Sequence, residues 1–150
     1  MVKNEISIMI HRPIDEVFTY VSNIENGPQW QTGLFEVRSL TPGPLGVGSK
    51  FAAVRKFLGQ KIEGVVEIIV YEPNSKMVIK SLPGTMPFEE SYLFNSTTEG
   101  TRLFDVLELH PSGLLSLAEP MIAGSLKREM EAALGDLKDL LEQPVNVVSA

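Results

Sequence analysis

The stretch Ala118–Glu142, AEPMIAGSLKREMEAALGDLKDLLE, decides the fold, because it predicts one long helix at the end of a chain otherwise patterned as strands. Its apolar side chains recur every three or four positions, which is the spacing of one helical face. They are Ala118, Ile122, Leu126, Met130, Ala133, Leu137 and Leu141. Because proline breaks a helix interior, we expect the helix to begin near Glu119 or to kink at Pro120. Pro144 ends the helix, and a frayed tail is expected after Gln143.

The chain begins with a strand followed by two short helical segments. In the segment Met1–Ile10, isoleucines occupy every second position from Ile6 onward, as in a strand with one buried face. Pro13 stops this strand and pre-sets the first turn of a short helix. A second short helix or a turn is expected over Asn23–Gln31.

Between Leu34 and Leu109 the sequence predicts six strands joined by turns. The predicted strands are Leu34–Leu40, Lys50–Phe57, Lys61–Tyr71, Met77–Leu82, Phe88–Phe94 and Thr101–Leu109. The connections include a tight hairpin at Gly59-Gln60, a loop at Pro83–Pro87 and a longer hairpin at Asn95–Gly100. Short connections favour antiparallel pairing, because parallel neighbours need crossovers of about a dozen residues. We therefore expect an α+β domain over residues 1–150, whose seven-stranded antiparallel sheet curves around the C-terminal helix and leaves a gap.

Composition excludes several classes of partner. The chain has 150 residues, a net charge of −6 and no basic run, whereas nucleic-acid binding requires a cationic face. No segment approaches the roughly 20 apolar residues that span a bilayer, so we expect no membrane insertion. The absence of cysteine excludes disulfides and thiolate chemistry and suits a cytoplasmic protein. A monomer or a homodimer is expected, and composition does not distinguish the two.

Metal and cofactor sites receive no support from the sequence. His11 and His110 follow the first and last strands, which are expected to be antiparallel neighbours. The two histidines then lie at opposite ends of that pair, on the order of 30 Å apart, and cannot share a metal. The glycine-rich segment Gly43–Gly48 contains a proline and precedes a strand, so it fits a turn rather than a phosphate-binding loop. We expect no cofactor and no metal.

Six short motifs in order resemble one known superfamily. They are Arg12–Phe18 (RPIDEVF), Trp30, Gly46–Ser49 (GVGS), Tyr71–Asn74 (YEPN), Gly100–Arg102 (GTR) and Leu137–Glu142 (LKDLLE). With them the chain resembles the polyketide cyclase/dehydrase and lipid-transport proteins, the START-like or Bet v 1-like (SRPBCC) superfamily. The resemblance implies a helix-grip fold with an elongated, largely apolar cavity between sheet and helix. Its members include enzymes, lipid carriers, hormone receptors and chaperone activators, so the fold does not choose a function.

The hairpin Phe88–Leu109 carries two acids on its predicted apolar faces. With a turn centred on Thr97-Thr98, Glu90 is expected opposite Asp105, and Tyr92 opposite Leu103. Two carboxylates would then face the gap within about 5.5 Å of each other. Burial and repulsion would raise the pKa of at least one, so the pair could act as acid and base or bind a polar ligand group. Alternatively, a bulge or shifted turn sends one acid to solvent, or Arg55 neutralises the pair.

Strand and helix periodicity also predicts the residues that face a ligand. The sheet candidates are Trp30, Phe51, Arg55, Phe57, Ile62, Val66, Ile68, Ile79, Glu90, Tyr92, Phe94, Leu103, Asp105 and Leu107. The helix candidates are Met121, Ile122, Ser125 and Met130, of which the methionines suit an adaptable wall. Plain core packing is the alternative for most of them.

Three functions remain open from the sequence. The first is binding or carriage of a small apolar molecule, lipid-like or aromatic, in the internal cavity. The second is an enzyme of the cyclase/dehydratase type, a lyase or isomerase in which Glu90, Asp105, Arg55 or Tyr92 would move protons. The third is a module that binds a protein partner, as chaperone activators of the superfamily do.

Overall fold

A computed structural model of the chain describes residues 1–57, 59–83 and 87–143. The elements in chain order are β1 (Val2–Ile10), α1 (Ile14–Ser22), a first 3₁₀ helix (Ile24–Gln29), β2 (Leu34–Ser39), β3 (Lys50–Phe57), β4 (Gln60–Glu72), β5 (Lys76–Ser81), β6 (Phe88–Thr97), β7 (Gly100–Leu109), a second 3₁₀ helix (Gly113–Ala118) and α2 (Glu119–Glu142). The interior of the predicted loop Pro83–Pro87, and the tail beginning at Pro144, lie outside the described residues.

Across the described ranges the strands form a seven-stranded antiparallel sheet in the order β1-β7-β6-β5-β4-β3-β2. The predicted meander, closed by pairing of the first strand with the last, is confirmed. Val2 pairs with Leu109 and Ile10 with Thr101, so His11 and His110 follow opposite ends of the β1–β7 pair, as expected. Irregular registers in the β2–β3 and β4–β5 pairs bend the sheet, because a bulge curves the strand that carries it. The α+β helix-grip architecture is therefore confirmed.

The long helix begins and ends where the prolines predict. Pro120 lies in the first turn of α2, where no backbone N–H is needed, so the helix begins at Glu119 without an interior break. The residues it buries are Ile122, Leu126, Met130, Leu134 and Leu137. Leu134 was absent from the predicted stripe, which placed Ala133 on the buried face; both lie there, and Ala133 is only half-buried. The difference matters because a small side chain at this position leaves space against the sheet.

Hydrogen bonds tie both ends of α2 to β1 and to Arg12, which follows β1. Near its C-terminal end, Arg12 Nε donates to the Leu141 carbonyl at 2.8 Å, and Lys138 Nζ donates to the Met9 carbonyl at 2.7 Å. Near its start, Asn4 Nδ2 donates to the Ala123 carbonyl at 3.0 Å. These bonds hold α2 against the edge of the sheet formed by β1. They therefore help to set the distance between α2 and the strands at the other edge.

Buried apolar side chains of the described residues fall into two clusters. One contains Phe18 of α1, whose ring meets the edge of Phe94 with centroids 5.0 Å apart. The other lies between the start of α2 and the ends of β1 and β7, around Ile122 and Leu109. The helix α1 packs at one end of the curved sheet, and the space beyond it is bounded by Val21 of α1, by the first 3₁₀ helix and by α2.

A short apolar stretch is exposed on the second 3₁₀ helix and the first turn of α2. Its members are Leu114, Leu115, Leu117 and Met121. No helix among the described residues is both long and apolar enough to cross a bilayer.

Candidate functional site

A pocket of about 210 Å³ lies between the concave face of the sheet and α2. Its wall is largely apolar and comes from strands β2 to β7, from the last turn of α1, from the first 3₁₀ helix with the loop after it, and from α2. On the wall, Ala53 of β3 pairs directly with Gly64 of β4, and Ala133 faces them from the helix side. Three small residues in place of larger ones are the local reason that the interior is not filled.

Three polar side chains from the β6–β7 hairpin reach this pocket. Tyr92 lies directly opposite Asp105, and Glu90 lies opposite Leu107 on the same face. The predicted pairings of Glu90 with Asp105 and of Tyr92 with Leu103 are therefore wrong. The strand β6 continues to Thr97, which pairs with Gly100, so the turn is shorter than the predicted loop and the register moves by two residues. A shift of two keeps every side chain on its face, so both acids still point inward.

The two acids and the tyrosine are buried together. Glu90 is 9% exposed, and Tyr92 and Asp105 are each 3% exposed. Burial, then the charge of Glu90 and a hydrogen bond to its side chain, raise the pKa of Asp105 well above its usual value. Asp105 therefore keeps a proton at a pH where an ordinary aspartate has lost it. The alternative in which one acid turns to solvent does not describe this hairpin.

Tyr92 shares the same environment. Burial and the charges of Glu90 and Asp105 raise the pKa of Tyr92 well above its usual value, and the positive charge of Arg55 opposes this. A hydrogen bond to the Glu90 side chain also contributes to the raised pKa of both Tyr92 and Asp105. In the described part of the chain, Asp105 Oδ1 has no hydrogen-bond partner.

Arg55 stands on the wall without neutralising the acids. It lies on β3 between Leu34 of β2 and Ile62 of β4, and its side chain is half-buried. Among the described residues it has no carboxylate within ion-pair distance. The expected possibility that Arg55 closes on the acid pair is not realised, although its charge acts on Tyr92.

The mouth of the pocket is marked by its exposed lining residues, Thr32, Lys56, Glu129 and Ala132. The Lys56 amide donates to the Gly33 carbonyl at 2.8 Å, which holds the loop after the first 3₁₀ helix against β3. A Cβ at Gly33 would lie 3.2 Å from Glu129 Oε1, so this loop also touches α2. The sequence analysis did not identify this opening, because no periodic pattern relates a loop glycine to an acid on a distant helix.

The structure brings most of the predicted ligand-facing residues to the pocket. Those on its wall are Trp30, Arg55, Phe57, Ile62, Val66, Ile79, Glu90, Tyr92, Asp105, Leu107 and Met130. Their roles toward a ligand stay predictions. Several wall residues, chiefly Met77, Phe88, Leu126 and Ala133, were not predicted from the sequence to face a ligand. Of these, Leu126 and Ala133 were on the predicted helical stripe and needed only the recognition that the stripe faces a gap.

The other predicted residues lie elsewhere. Phe51, Ile68, Phe94 and Leu103 pack in the core cluster around α1. Ile122 packs in the second core cluster, and Ser125 is half-buried outside the wall. The expectation that Met121 faces the pocket is wrong, because it is 63% exposed. Successive helix positions are about 100° apart, so burial of Ile122 turns Met121 toward solvent.

Across the described ranges, no three histidine, aspartate or glutamate side chains come close enough together to hold a metal ion.

Comparisons with known proteins give a family and a fold. The sequence profile of the family described as "Polyketide cyclase / dehydrase and lipid transport" matches residues 1–142. No curated protein sequence matches the chain. Among solved structures, TTHA0849 from Thermus thermophilus is similar with a TM-score of 0.77 and 16% identity, covering 93% of this chain and 95% of that one.

Two further structures illustrate the range of proteins that share this fold. SA2116 from Staphylococcus aureus, a protein of unknown function, has a TM-score of 0.75 at 12% identity and covers 94% of this chain and 93% of its own. The di-domain ARO/CYC StfQ from the steffimycin biosynthetic pathway has a TM-score of 0.73 at 19% identity. That match covers 94% of this chain but 50% of StfQ. At sequence identities this low, the structural similarity shows only that the fold is shared.

Proposed function

The chain belongs to the polyketide cyclase / dehydrase and lipid transport family, and from that premise we propose that it binds a small, largely apolar molecule in the pocket between the sheet and α2. The observation that carries the proposal is the pocket itself, an apolar space with a buried polar group on one wall. A concave apolar site with a few convergent polar groups is the usual form of a small-molecule site.

The size of the pocket limits the ligand. Its volume of about 210 Å³ is below the roughly 300–1,000 Å³ of drug-sized sites. A molecule of one or two rings, or a short acyl chain, fits this space, and a whole diacyl lipid does not. Each CH₂ group removed from water contributes about 0.8 kcal/mol. Affinity therefore comes from the apolar wall, and the polar side chains set orientation.

A single tryptophan makes binding measurable without a label. Trp30, the sole tryptophan of the sequence, lies on the pocket wall, with its ring centroid 6.3 Å from that of Tyr92. Titration of purified protein with naphthalene should change Trp30 fluorescence in a saturable manner. Native mass spectrometry of freshly purified protein should also detect a retained small molecule.

A substitution that fills the pocket tests whether the ligand binds there. We expect Ala133→Leu to abolish the fluorescence change, because it adds three carbons to the wall from α2. The matched control is Glu131→Leu, which places the same side chain at an exposed position of the same helix outside the wall. Equal binding by the two variants, or no saturable binding by the wild type, would contradict the proposal.

A second function, catalysis of the cyclase/dehydratase type, is favoured by a different observation. Asp105 holds a proton beside the Glu90 carboxylate, and such a pair can act as general acid and general base. In a dehydration, Glu90 would take the proton α to a carbonyl while Asp105 protonates the departing β-hydroxyl, which leaves as water. The proton gained by Glu90 then returns to Asp105, and the pair is restored.

This second function has its own test. Turnover of a β-hydroxy ketone substrate should fall by about 10²–10⁴-fold in Glu90→Gln and in Asp105→Asn, which is the usual contribution of a positioned acid or base. The control is Glu89→Gln, one residue away on the opposite face of β6, which should keep wild-type turnover. Unchanged turnover in Glu90→Gln would rule out the proposal that this pair catalyses the reaction.

A further inference from the structure

We infer that the ligand of this pocket is a small apolar carboxylic acid, and that the guanidinium group of Arg55 binds its carboxylate. The inference rests on the proposed function, since it names the chemical class bound at the same site. Three features carry it: the face of the sheet on which Arg55 lies, the absence of a carboxylate beside it among the described residues, and the two strands that separate it from the buried acids.

Arg55 lies on the concave face of the sheet. It pairs with Leu34 of β2 and with Ile62 of β4, and residues paired across an antiparallel ladder share a face. Both partners line the pocket, as do Ala53 and Phe57, two residues to either side of Arg55 on β3. The half-buried side chain of Arg55 therefore runs along an apolar part of the wall.

Arg55 has no carboxylate within ion-pair distance among the described residues. The acid that α2 contributes to the wall is Glu129, and it lies against the loop instead: a Cβ on Gly33 would be 3.2 Å from Glu129 Oε1. A half-buried cation has lost part of its hydration, and an anion that pairs with it offsets that loss. An anionic group of a ligand in the pocket would supply the missing partner.

The buried acids leave room for an anion beside Arg55. Arg55 is on β3 and Glu90 is on β6, with β4 and β5 between them. Neighbouring strands are about 4.8 Å apart, so three spacings separate the two backbones by about 14 Å along the sheet. A carboxylate held by Arg55 is thus closer to its partner than to Glu90, and attraction at short range outweighs repulsion at longer range. The apolar body of the ligand then extends from β3 toward Tyr92.

A carboxylate fits a guanidinium group better than a neutral acceptor does. The N–H donors of arginine lie in a planar fork that meets both carboxylate oxygens, and such charge-assisted bonds are about twice as strong as neutral ones. The pocket of about 210 Å³ leaves space beside this contact for one or two rings or a short chain. The ligand class is therefore an aromatic or short-chain carboxylic acid.

Three probes with the same ring system test this class. Naphthalene has no polar group, 2-naphthamide has an uncharged group of nearly the same shape as a carboxylate, and 2-naphthoate is an anion at pH 7. By isothermal titration calorimetry at pH 7, the wild type should bind 2-naphthoate about 10- to 100-fold more tightly than 2-naphthamide. This is the range that a hydrogen bond to a charged group implies.

Substitutions of Arg55 test the assignment of the carboxylate to this side chain. Arg55→Met keeps an apolar stem without the charge, so it should bind 2-naphthoate no more tightly than 2-naphthamide and should still bind naphthalene. Arg55→Lys keeps the charge without the planar fork and should retain part of the preference for 2-naphthoate. The matched control is Arg38→Met, which removes the same charge from an exposed position of β2 outside the pocket wall and should keep the full preference. Thermal unfolding establishes that each variant is folded, and if Arg55→Met is not, the wild type and Arg55→Lys still decide.

The contrary results separate the inference from the proposed function. Equal affinity of the wild type for 2-naphthoate and 2-naphthamide, with naphthalene bound, overturns the inference and leaves the proposed function standing. A preference for 2-naphthoate that is undiminished in Arg55→Met and Arg55→Lys overturns the role of Arg55. Loss of the preference in Arg38→Met overturns it too, because the total charge of the protein would then decide. Failure of all three probes to bind overturns both the inference and the proposed function.

Discussion

Tyr92 of β6 lies directly across the ladder from Asp105 of β7, and both side chains hydrogen-bond to Glu90 on the wall of the same pocket. An otherwise apolar interior therefore contains a connected polar group whose members depend on one another. A buried polar network stabilises a fold when each of its groups is hydrogen-bonded. If one group is removed, the remaining groups stay buried without a hydrogen-bond partner, which is costly.

The tyrosine hydroxyl can be removed without changing the shape of its ring. We expect Tyr92→Phe to lower the free energy of unfolding by about 1–3 kcal/mol, because Glu90 loses a buried donor. Urea unfolding at pH 7 measures the change. The control is Tyr71→Phe: the Tyr71 ring packs against Phe18, and its hydroxyl has no hydrogen-bond partner in the described residues, so its loss should change stability by less than about 0.5 kcal/mol. Equal effects of the two substitutions would mean that Tyr92 contributes through packing alone.

Asp105 makes stability depend on pH. Its pKa is raised in the folded protein, first by burial and then by Glu90, above the ordinary value of 3.8 expected in the unfolded chain. Between these two values the folded state binds more protons, so stability falls as pH rises, by up to about 1.4 kcal/mol per pH unit. Below the unfolded value the penalty vanishes.

The substitution Asp105→Asn removes this titration and should flatten the pH dependence. We therefore expect it to be more stable than the wild type at pH 8, and the difference to shrink as pH approaches 4. Urea unfolding of both proteins at intervals between these pH values measures it. A difference that is constant with pH would show that Asp105 titrates alike in the folded and unfolded chains.

Alternation along the strands was enough to predict which face of the sheet each hairpin residue occupies. It was not enough to predict the register in which the two strands pair. Glu90, Tyr92 and Asp105 were predicted inward because side-chain direction depends only on odd and even positions. Their pairing depends on where the turn falls. Asn95 to Thr97 are polar and resemble a loop, yet they pair with β7, which β1 holds extended along its whole length.

Alternation also does not say where along a strand the core ends and the pocket begins. Phe94 and Tyr92 share a face of β6, but Phe94 meets Phe18 of α1 and Tyr92 faces the pocket. The position of α1 decides between them, and it is a long-range packing outcome. The family motifs predicted the architecture because they lie mostly where strands and helices begin or end. They carry no information about which side chains border the pocket.

Gly100 is required where β7 begins beneath the end of β1. Its φ is +143°, and a Cβ there would clash with the Ile10 carbonyl oxygen, a backbone atom that cannot turn aside. Gly100→Ala should therefore lower the free energy of unfolding by at least about 2 kcal/mol. Gly135→Ala is the matched control, because within the described residues no atom beyond the adjacent backbone of α2 lies within 4 Å of its Cβ position. It should raise stability by about 0.5–1 kcal/mol through helix propensity. Similar effects of the two changes would contradict the close approach.

The bonds between Arg12, two residues after β1, and the end of α2 predict that loss of the Arg12 side chain loosens only that end of the helix. Arg12 donates from Nε to the Leu141 carbonyl and from a terminal guanidinium nitrogen to the Gln143 carbonyl at 3.1 Å, which satisfies acceptors that the helix end leaves free. Loss of one to two such bonds corresponds to roughly a tenfold increase in local opening. In Arg12→Met, amide hydrogen exchange should therefore accelerate about tenfold in the last turn of α2 and stay unchanged in its first turn.

The exposed Arg38 on β2 provides the control for charge and side-chain length, since it has no ion-pair partner in the described residues. Exchange in Arg38→Met should match the wild type throughout α2. If Arg12→Met accelerates exchange evenly along the helix, α2 opens as one unit, and its position against the pocket depends on the apolar stripe rather than on this anchor. Acceleration confined to the last turn would instead mean that the helix end can move while Leu126 and Met130 keep their places on the pocket wall.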